Sequence, residues 1–242
     1  MNTDGRIVLL LDVDNTLLDN DRFTADLSAR LAHGFGTAER DRYWAHYARL
    51  RDELGYADYL GSLQAIRAGL EEHPELLQMS SFLLDYPFAQ LLYPRALETI
   101  AHLRTLGLPV VMSDGDVVFQ PRKVQRSGIW EAVEGRVLIQ PHKQCALEGM
   151  QRRYPAAQYV MVDDKRELLA AMKQVLGTRL ATIFVRQGHY ACESVDRVIH
   201  PAPDISIECI SELIGFDRAD FAAAAPADAA TPTGGISPPQ HL

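Results

Sequence analysis

Short apolar runs, each followed by polar residues, recur along the chain. Five of these runs are rich in Val, Ile and Leu and too brief for helices, which is typical of strands buried on both faces of a parallel sheet. The runs are Arg6–Leu11, Leu108–Met112, Arg136–Ile139, Tyr159–Val162 and Leu180–Val185. Between the later runs, apolar residues recur at helical spacing, as in Leu97, Ile100, Leu103 and Leu106, and again in Leu168, Leu169, Met172 and Val175. This alternation predicts an α/β fold, a three-layer sandwich with right-handed crossovers.

The stretch from residue 20 to residue 93 interrupts this alternation. It holds four helix-patterned segments and no clear strand pattern, namely Leu27–Leu31, Tyr43–Leu54, Tyr59–Leu70 and Leu76–Leu84. We interpret residues 20–93 as a helical cap domain inserted after the first strand, so that residues 1–19 and 94–216 form the core domain. Residues 217–242 are rich in Ala, Pro and Gly and cannot bury enough surface to offset the entropy of ordering, which predicts a disordered tail.

Composition narrows the class of protein. Hydrophobic residues make up 47% of the 242 residues and charged residues 23%, as in a soluble globular enzyme. The formal net charge of −8 argues against nucleic acid or an anionic membrane as a partner. The three cysteines show no CxxC spacing, which excludes a disulfide framework and a cysteine-based zinc site. Because no apolar run reaches the ~18 residues of a membrane span and no signal-peptide pattern is present, we expect a cytoplasmic protein.

Two carboxylates follow the first apolar run directly. Asp12 and Asp14 are separated by one residue, so on an extended backbone both side chains lie on the same face. They then share a small volume beyond the carboxyl ends of the strands, where α/β sheets bind ligands. Two carboxylates so close repel each other unless a cation or a proton lies between them, and Mg²⁺ is the natural oxygen-binding cation. The alternative is a strand-to-loop turn without chemistry, since Asp and Asn favour turns.

The segment Asp12–Thr16, placed directly after a buried strand, resembles the first motif of the haloacid dehalogenase (HAD) superfamily, whose members are mostly phosphatases. The resemblance implies a Rossmann-like parallel core and a helical cap of the C1 type. It also implies Mg²⁺ as the cofactor and a small phosphorylated metabolite as the substrate. We expect a monomer or a homodimer.

The second and third motifs of this superfamily have counterparts further along the chain. Ser113 and Asp114 follow the second apolar run, and the resemblance implies that the Ser113 hydroxyl and the backbone N–H of Asp114 bind a phosphoryl oxygen. Lys143 is in the place of the lysine that neutralises charge on the nucleophile and the phosphoryl group. The match departs from the common pattern, because Gln144 stands where proline usually follows that lysine.

Lys123 is a rival for the lysine of the third motif. It lies ten residues after Ser113, inside a helix-like run that also contains Arg122 and Arg126. Neighbouring arginines are typical of a solvated helix face, so we expect Lys123 to face solvent and favour Lys143.

The fourth motif follows the run Tyr159–Val162, which delivers two more acids to the same edge of the sheet. By resemblance, Asp164 is a metal ligand, and Asp163 replaces a glycine and binds the metal directly or through water. A further acid is common four residues after Asp164, but Leu168 stands there and Glu167 is one residue early.

Together the motifs imply a phosphomonoester hydrolase. Asp12 would be the nucleophile and form an aspartyl-phosphate, and Asp14 would be the general acid and base. The implied metal site consists of Asp12, Asp14 through its backbone carbonyl, Asp164 and Asp163. The implied substrate-binding residues are Asn15, Thr16, Ser113, Asp114 and Lys143.

Two other functions are compatible with parts of the pattern. A metal-independent 2-haloacid dehalogenase on the same fold also uses an aspartate nucleophile, but such enzymes characteristically lack an acid at the place of Asp14. A non-enzymatic phospho-receiver or binding module would also carry an acidic pair, as in Asp163 and Asp164. Receivers place that pair after their first strand, which is not its place here, so this is the least favoured function.

Overall fold

The computed structural model describes residues 5–193 and 198–224. Within these residues, six strands form one sheet in the order β3-β2-β1-β4-β5-β6, with every neighbouring pair parallel. The strands are β1 (Ile7–Leu11), β2 (Leu108–Asp114), β3 (Val137–Gln140), β4 (Gln158–Asp163), β5 (Leu180–Val185) and β6 (Ile205–Ile207). The five predicted runs are β1 to β5, and the predicted parallel α/β architecture is confirmed.

The sixth strand corrects the prediction of five. β6 pairs with β5 through Ile183 and Ile205 at the edge of the sheet. It has only three residues, with the central Ser206 exposed, so it does not form a recognisable apolar run.

Helices cover both faces of the sheet and fill the segment between β1 and β2. In chain order they are α1 (Asn20–Phe35), α2 (Thr37–Leu54), α3 (Tyr59–Ala65), α4 (Glu75–Asp85), α5 (Ala96–Leu106), α6 (Phe119–Arg126), α7 (Ile129–Ala132), α8 (Leu147–Arg153), α9 (Arg166–Leu176), α10 (Gly188–Glu193) and α11 (Arg218–Ala224). None of the helices in the described part of the chain combines the length and apolar character needed to cross a bilayer.

β1 is buried along its whole length because it separates two apolar cores. Leu9 and Leu11 pack on one side of the sheet, in a core shared with α5 and with the helices of residues 20–93. Val8 and Leu10 pack on the other side with residues of α8 and α9. Alternate residues of one strand thus hold helices on opposite faces, which gives the three layers.

The buried face of α9 differs from the predicted one by one position. Leu169, Met172 and Leu176 are buried, whereas Val175 is 68% exposed. The apolar residues of this helix exceed the width of its buried face, so spacing alone does not select the correct set.

Residues 20–93 hold α1 to α4 and, among the described residues, no strand; only an isolated bridge joins Leu18 to Leu92. The third helix is shorter than its pattern predicts and ends at Ala65 rather than Leu70. The Arg42 guanidinium binds the carbonyl oxygens of Ile66 and Ala68, which satisfies backbone groups beyond the helix end. The division into core and cap at residues 19/20 and 93/94 stays a prediction.

The predicted disordered tail begins too early. α11 forms within it, and the Phe221 side chain is fully buried against the core that contains β5. Gln158 at the start of β4 also donates a hydrogen bond of 2.6 Å to the Phe221 carbonyl. These contacts hold α11 against the core, although the composition of the segment is that of a disordered chain. Residues 225–242 lie outside the described residues.

Candidate active site

Three adjacent strands bring the predicted acids and hydroxyl to one edge of the sheet. β2, β1 and β4 are neighbours, and Leu11, the last residue of β1, pairs with Val111 and Val162. The Asp12 N–H donates to the Val162 carbonyl at 3.0 Å, which continues the ladder into the site. Because parallel strands end at the same edge, residues that lie far apart along the chain meet there.

An acidic cluster forms at this edge. The carboxylates of Asp12, Asp163 and Asp164 each place an oxygen within 4.8 Å of the others, and all three residues are buried. Neither Asp164 oxygen has a hydrogen-bond partner among the described residues. An unpartnered buried carboxylate is costly, and a divalent cation with oxygen ligands would satisfy it. The cluster therefore fits a metal ion such as Mg²⁺.

Burial and mutual repulsion act strongly on these carboxyl groups. Burial, with the carboxylates of Asp163 and Asp14, raises the pKa of Asp12 to about 7, although the charge of Lys143 opposes this. Burial and the carboxylates of Asp163 and Asp12 raise the pKa of Asp164 to about 9. Without a cation, the raised pKa of Asp164 favours its protonated form at neutral pH.

Lys143 is the lysine that contacts the acidic cluster. Its Nζ lies 2.5 Å from Asp12 Oδ1 and 2.6 Å from Asp163 Oδ2, and the side chain is fully buried. Burial alone would lower the pKa of the ammonium group, but the carboxylates of Asp12 and Asp163 raise it above its usual value. The backbone N–H of Lys143 donates to Asp114 Oδ1 at 2.7 Å, so Asp114 positions the loop that carries the lysine.

Asp163 has partners that Asp164 lacks. Asp163 Oδ1 accepts the backbone N–H of Lys165 at 2.9 Å, and Oδ2 pairs with Lys143. Asp164 thus has more free ligand capacity than Asp163, whereas both Asp12 oxygens already have a partner, Lys143 and Thr16.

Lys123 is not at the surface, which corrects the expectation that it faces solvent. Its side chain has no exposed area, and its Nζ lies 2.8 Å from Asp14 Oδ1 and 2.9 Å from Asn20 Oδ1. The two lysines considered for the third motif therefore pair with different aspartates of the first motif. Lys143 forms an ion pair with Asp12, and Lys123 forms one with Asp14. The side chain of Asp14 points to Lys123 and does not belong to the acidic cluster.

Aromatic rings from both parts of the chain surround the Lys123 ammonium group. Four ring centroids lie 5.3–5.9 Å from its Nζ, those of Phe23, Tyr59, Phe88 and Phe119. Ring faces attract a cation, so this environment stabilises the buried charge.

Gln120 is a site residue that the sequence did not reveal. Its amide Nε2 lies 3.0 Å from Ser113 Oγ and 3.2 Å from Asp14 Oδ2, so it bridges the second motif to the first. Gln120 and Lys123 are three residues apart on α6 and share its buried face. Two polar residues spaced three positions apart, soon after the second motif, are the sequence feature that could have indicated a polar buried face on this helix.

Asn15 and Thr16 have partners within the protein. Asn15 has a φ of 59°, and its Oδ1 accepts the backbone N–H groups of Asn20 and Asp21 at 3.0 and 3.2 Å at the start of α1. The Thr16 hydroxyl donates to Asp12 Oδ2 at 3.4 Å. These contacts fix the loop after β1 and orient Asp12.

A cleft of about 100 Å³ opens at this edge, between the sheet and the helices of residues 20–93. Asp14, Asp114 and Lys165 line it from the sheet side, and Arg51 and Tyr59 line it from the helical side. Asp12, Ser113 and Lys143 are buried at the same edge of the sheet, and Asp14 connects them to the cleft.

A match to a protein-family model shows the family of this chain. Residues 8–175 match the model of the haloacid dehalogenase-like hydrolases. The chain belongs to this family. The predicted resemblance to the superfamily is thereby confirmed, and the chain is a hydrolase.

Solved HAD structures resemble this one to different degrees. A haloacid dehalogenase-like hydrolase from Burkholderia xenovorans LB400 is 52% identical, with a TM-score of 0.83, over 90% of this chain and 98% of that protein. The HAD hydrolase YfnB from Bacillus subtilis, solved with magnesium bound, is 16% identical, with a TM-score of 0.58, over 88% and 98% of the two chains.

An L-2-haloacid dehalogenase from Xanthobacter autotrophicus, solved with chloropropionic acid covalently bound, is 18% identical, with a TM-score of 0.55, over 86% and 96% of the two chains. At these low identities, YfnB and the dehalogenase are similar to this chain in fold alone. Among curated proteins, no sequence matches the chain.

Proposed function

We propose that this HAD hydrolase is a Mg²⁺-dependent phosphatase that cleaves a small phosphomonoester through an aspartyl-phosphate on Asp12. The observation that carries the proposal is Asp14, a partly exposed carboxylate at the cleft, two residues after a buried Asp12. An alkoxide leaving group needs a proton, which Asp14 can donate. A halide leaves unprotonated, so a dehalogenase has no use for this acid.

Asp12 is the proposed nucleophile. Its carboxylate attacks phosphorus, an oxygen–phosphorus bond forms, and the bond to the leaving oxygen breaks. Lys143 pairs with Asp12 Oδ1 and Thr16 contacts Oδ2, so both oxygens are oriented. Lys143, the Ser113 hydroxyl and the backbone N–H of Asp114 hold the phosphoryl oxygens. Asn15 and Thr16 act by positioning the nucleophile loop.

Asp14 serves both half-reactions. It protonates the leaving oxygen in the first, and the resulting carboxylate takes a proton from the water that attacks the aspartyl-phosphate in the second. Lys123 and Gln120 hold the two Asp14 oxygens in place.

The acidic cluster would hold the Mg²⁺. Asp12 and Asp164 are the proposed carboxylate ligands, with the Asp14 backbone carbonyl as a third, and Asp163 supports the site directly or through water. Bound Mg²⁺ supplies positive charge that offsets the repulsion between the nucleophile and the phosphoryl group. We propose a small phosphorylated metabolite as the substrate and the cytoplasm as the location of the enzyme.

Phosphate release from a panel of phosphomonoesters, in Mg²⁺ and in EDTA, tests the proposal. We expect the wild-type enzyme to release phosphate in Mg²⁺ but not in EDTA. The Asp12→Asn variant should release no phosphate under either condition. Asp52→Asn, an exposed aspartate on α2, is the matched control and should behave as wild type. Halide release from 2-chloropropionate in EDTA, with no phosphatase activity on any ester, would instead establish the dehalogenase.

A further inference from the structure

Asp21, in the first turn of α1, binds both Asn15 and the start of α10. Its Oδ1 accepts a hydrogen bond from Asn15 Nδ2 at 3.0 Å and lies 2.5 Å from His189 Nδ1. Its Oδ2 accepts the backbone N–H of His189 at 2.8 Å. Because a carboxylate oxygen only accepts hydrogen bonds, the His189 ring donates to it from Nδ1. One carboxylate thus joins the loop after β1 to the segment after β5.

The Asn15 side chain is held from two sides. A Cβ on Gly188, whose φ is +70°, would lie 2.4 Å from Asn15 Cγ, so only glycine lets α10 approach this closely. On the other side, Asn15 Oδ1 accepts the N–H groups at the start of α1. Asn15 itself has a φ of 59°, a conformation uncommon for residues other than glycine. The contacts with α1 and α10 hold it there.

The conformation of Asn15 determines where the Asp14 carbonyl points. The Asp14 carbonyl and the Asn15 amide belong to one planar peptide unit, and the φ of Asn15 sets the orientation of that plane relative to the Asn15 side chain. When the side chain and φ are both fixed, the carbonyl oxygen is fixed as well. That carbonyl is the third ligand in the proposed metal site, so contacts with Asn15 affect the site without touching it.

We propose that His189 and Asp21 are positioning residues of the metal site, which hold Asn15 in its left-handed conformation and thereby direct the Asp14 carbonyl to the Mg²⁺. The inference rests on the proposed function. Mg²⁺ demands near-ideal octahedral geometry, so a carbonyl that rotates freely is a poor ligand for it. Partners that orient metal ligands typically contribute about 10- to 100-fold to metal affinity.

The pair contributes to metal binding rather than to the stability of the fold. The side chains of His189 and Asp21 are 45% and 36% exposed, and surface pairs of this kind contribute little to unfolding free energy. Variants of the pair should therefore melt close to the wild-type temperature in EDTA while differing from it in Mg²⁺ affinity. A merely structural role would give the opposite result.

Calorimetric titration with Mg²⁺ tests this inference. His189→Leu removes the donor and should weaken Mg²⁺ binding by roughly 10-fold. His189→Asn also removes the ring but keeps a donor, because the asparagine Nδ2 takes the place of the imidazole Nδ1, and it should bind Mg²⁺ as tightly as the wild type does. His33→Leu, at an exposed histidine in the last turn of α1, is the matched control and should retain wild-type affinity.

Asp21→Asn is an independent second variant. It leaves one acceptor oxygen for three donor groups, so it should weaken Mg²⁺ binding even if His189→Leu is destabilised. If both variants bind Mg²⁺ with wild-type affinity, or if His189→Asn binds as weakly as His189→Leu, the positioning role is wrong and the proposed phosphatase stands. If the wild-type protein binds no Mg²⁺, the proposed metal site is wrong and the inference falls with it.

Discussion

Lys123 and Asp14 form an ion pair of 2.8 Å that joins helix α6 to the loop after the first strand, across 109 positions of the chain. The lysine is fully buried and the aspartate is 26% exposed, so one partner is sealed inside the protein while the other reaches the cleft. The buried Lys123 ammonium group thus fixes the position of Asp14, the proposed general acid, at the cleft.

Lys123→Met tests the structural value of this pair. Removing the lysine leaves the Asp14 carboxylate without its cation, and breaking a buried pair costs about 3–5 kcal/mol. We expect a loss of unfolding free energy near the lower limit of that range, because Asp14 is partly exposed. Urea denaturation measures it. Arg122 lies on the same helix as Lys123 and forms an exposed ion pair with Asp85 on α4. Arg122→Gln should therefore change the free energy of unfolding by less than about 1 kcal/mol.

Asp14→Asn tests the proposed acid. Positioned acid catalysis contributes typically about 10²–10⁴-fold, so hydrolysis of an alkyl phosphate should slow by that factor. The loss should be smaller for an aryl phosphate, because phenolate leaves with little protonation. Steady-state kcat for the two esters gives the comparison. Equal losses on both esters would argue that Asp14 has a different role.

Stability in the absence of metal should fall as pH rises. Burial and the carboxylates of Asp163 and Asp12 raise the pKa of Asp164 from 3.8 to about 9, so the folded protein keeps a proton that the unfolded chain has lost. The stability from that proton is complete below about pH 4 and is lost progressively as pH rises towards 9.

Mg²⁺ should restore this stability, and more strongly at higher pH, because it replaces the proton on the carboxylates. Melting temperatures with and without Mg²⁺, at about pH 6 and about pH 8.5, provide the measurement. Asp164→Asn should lose most of the Mg²⁺-dependent shift. An equal shift at both pH values would contradict the assignment of Asp164 as a ligand.

Phe221→Ala tests the corrected end of the folded core. A fully buried phenylalanine replaced by alanine costs about 3–5 kcal/mol, and we expect a loss of this order in urea denaturation. Deletion of residues 225–242 should leave the unfolding free energy unchanged. A destabilised deletion variant would refute the prediction that these residues are disordered.

The sheet and the motif residues were predictable because their signals are local. Each depends on a short apolar run followed at once by a polar residue, as at Leu11 and Asp12 or at Val162 and Asp163. The edge strand β6 and the helix around Phe221 were missed because three residues, or one aromatic in an alanine-rich run, give no periodic pattern.

The surroundings of Asp14 could not be read from the sequence. The solvated neighbours Arg122 and Arg126 suggested an exposed helix, but the burial of Lys123 depends on Asp14 and on rings that belong to three other segments. Gln120 acquires its role in the same way, through partners brought together only by the folded chain.

The central claim is phosphoryl transfer to Asp12, and the most direct measurement is the covalent state of that residue during turnover. Wild-type enzyme is mixed with a phosphomonoester in Mg²⁺, quenched in acid within the first turnover, digested and analysed by mass spectrometry. We predict a phosphoryl group on Asp12 that is absent in EDTA and absent in Asp12→Asn. Phosphate release with no phosphorylation of Asp12, or an ester between Asp12 and a carbon atom after incubation with 2-chloropropionate, would contradict the claim.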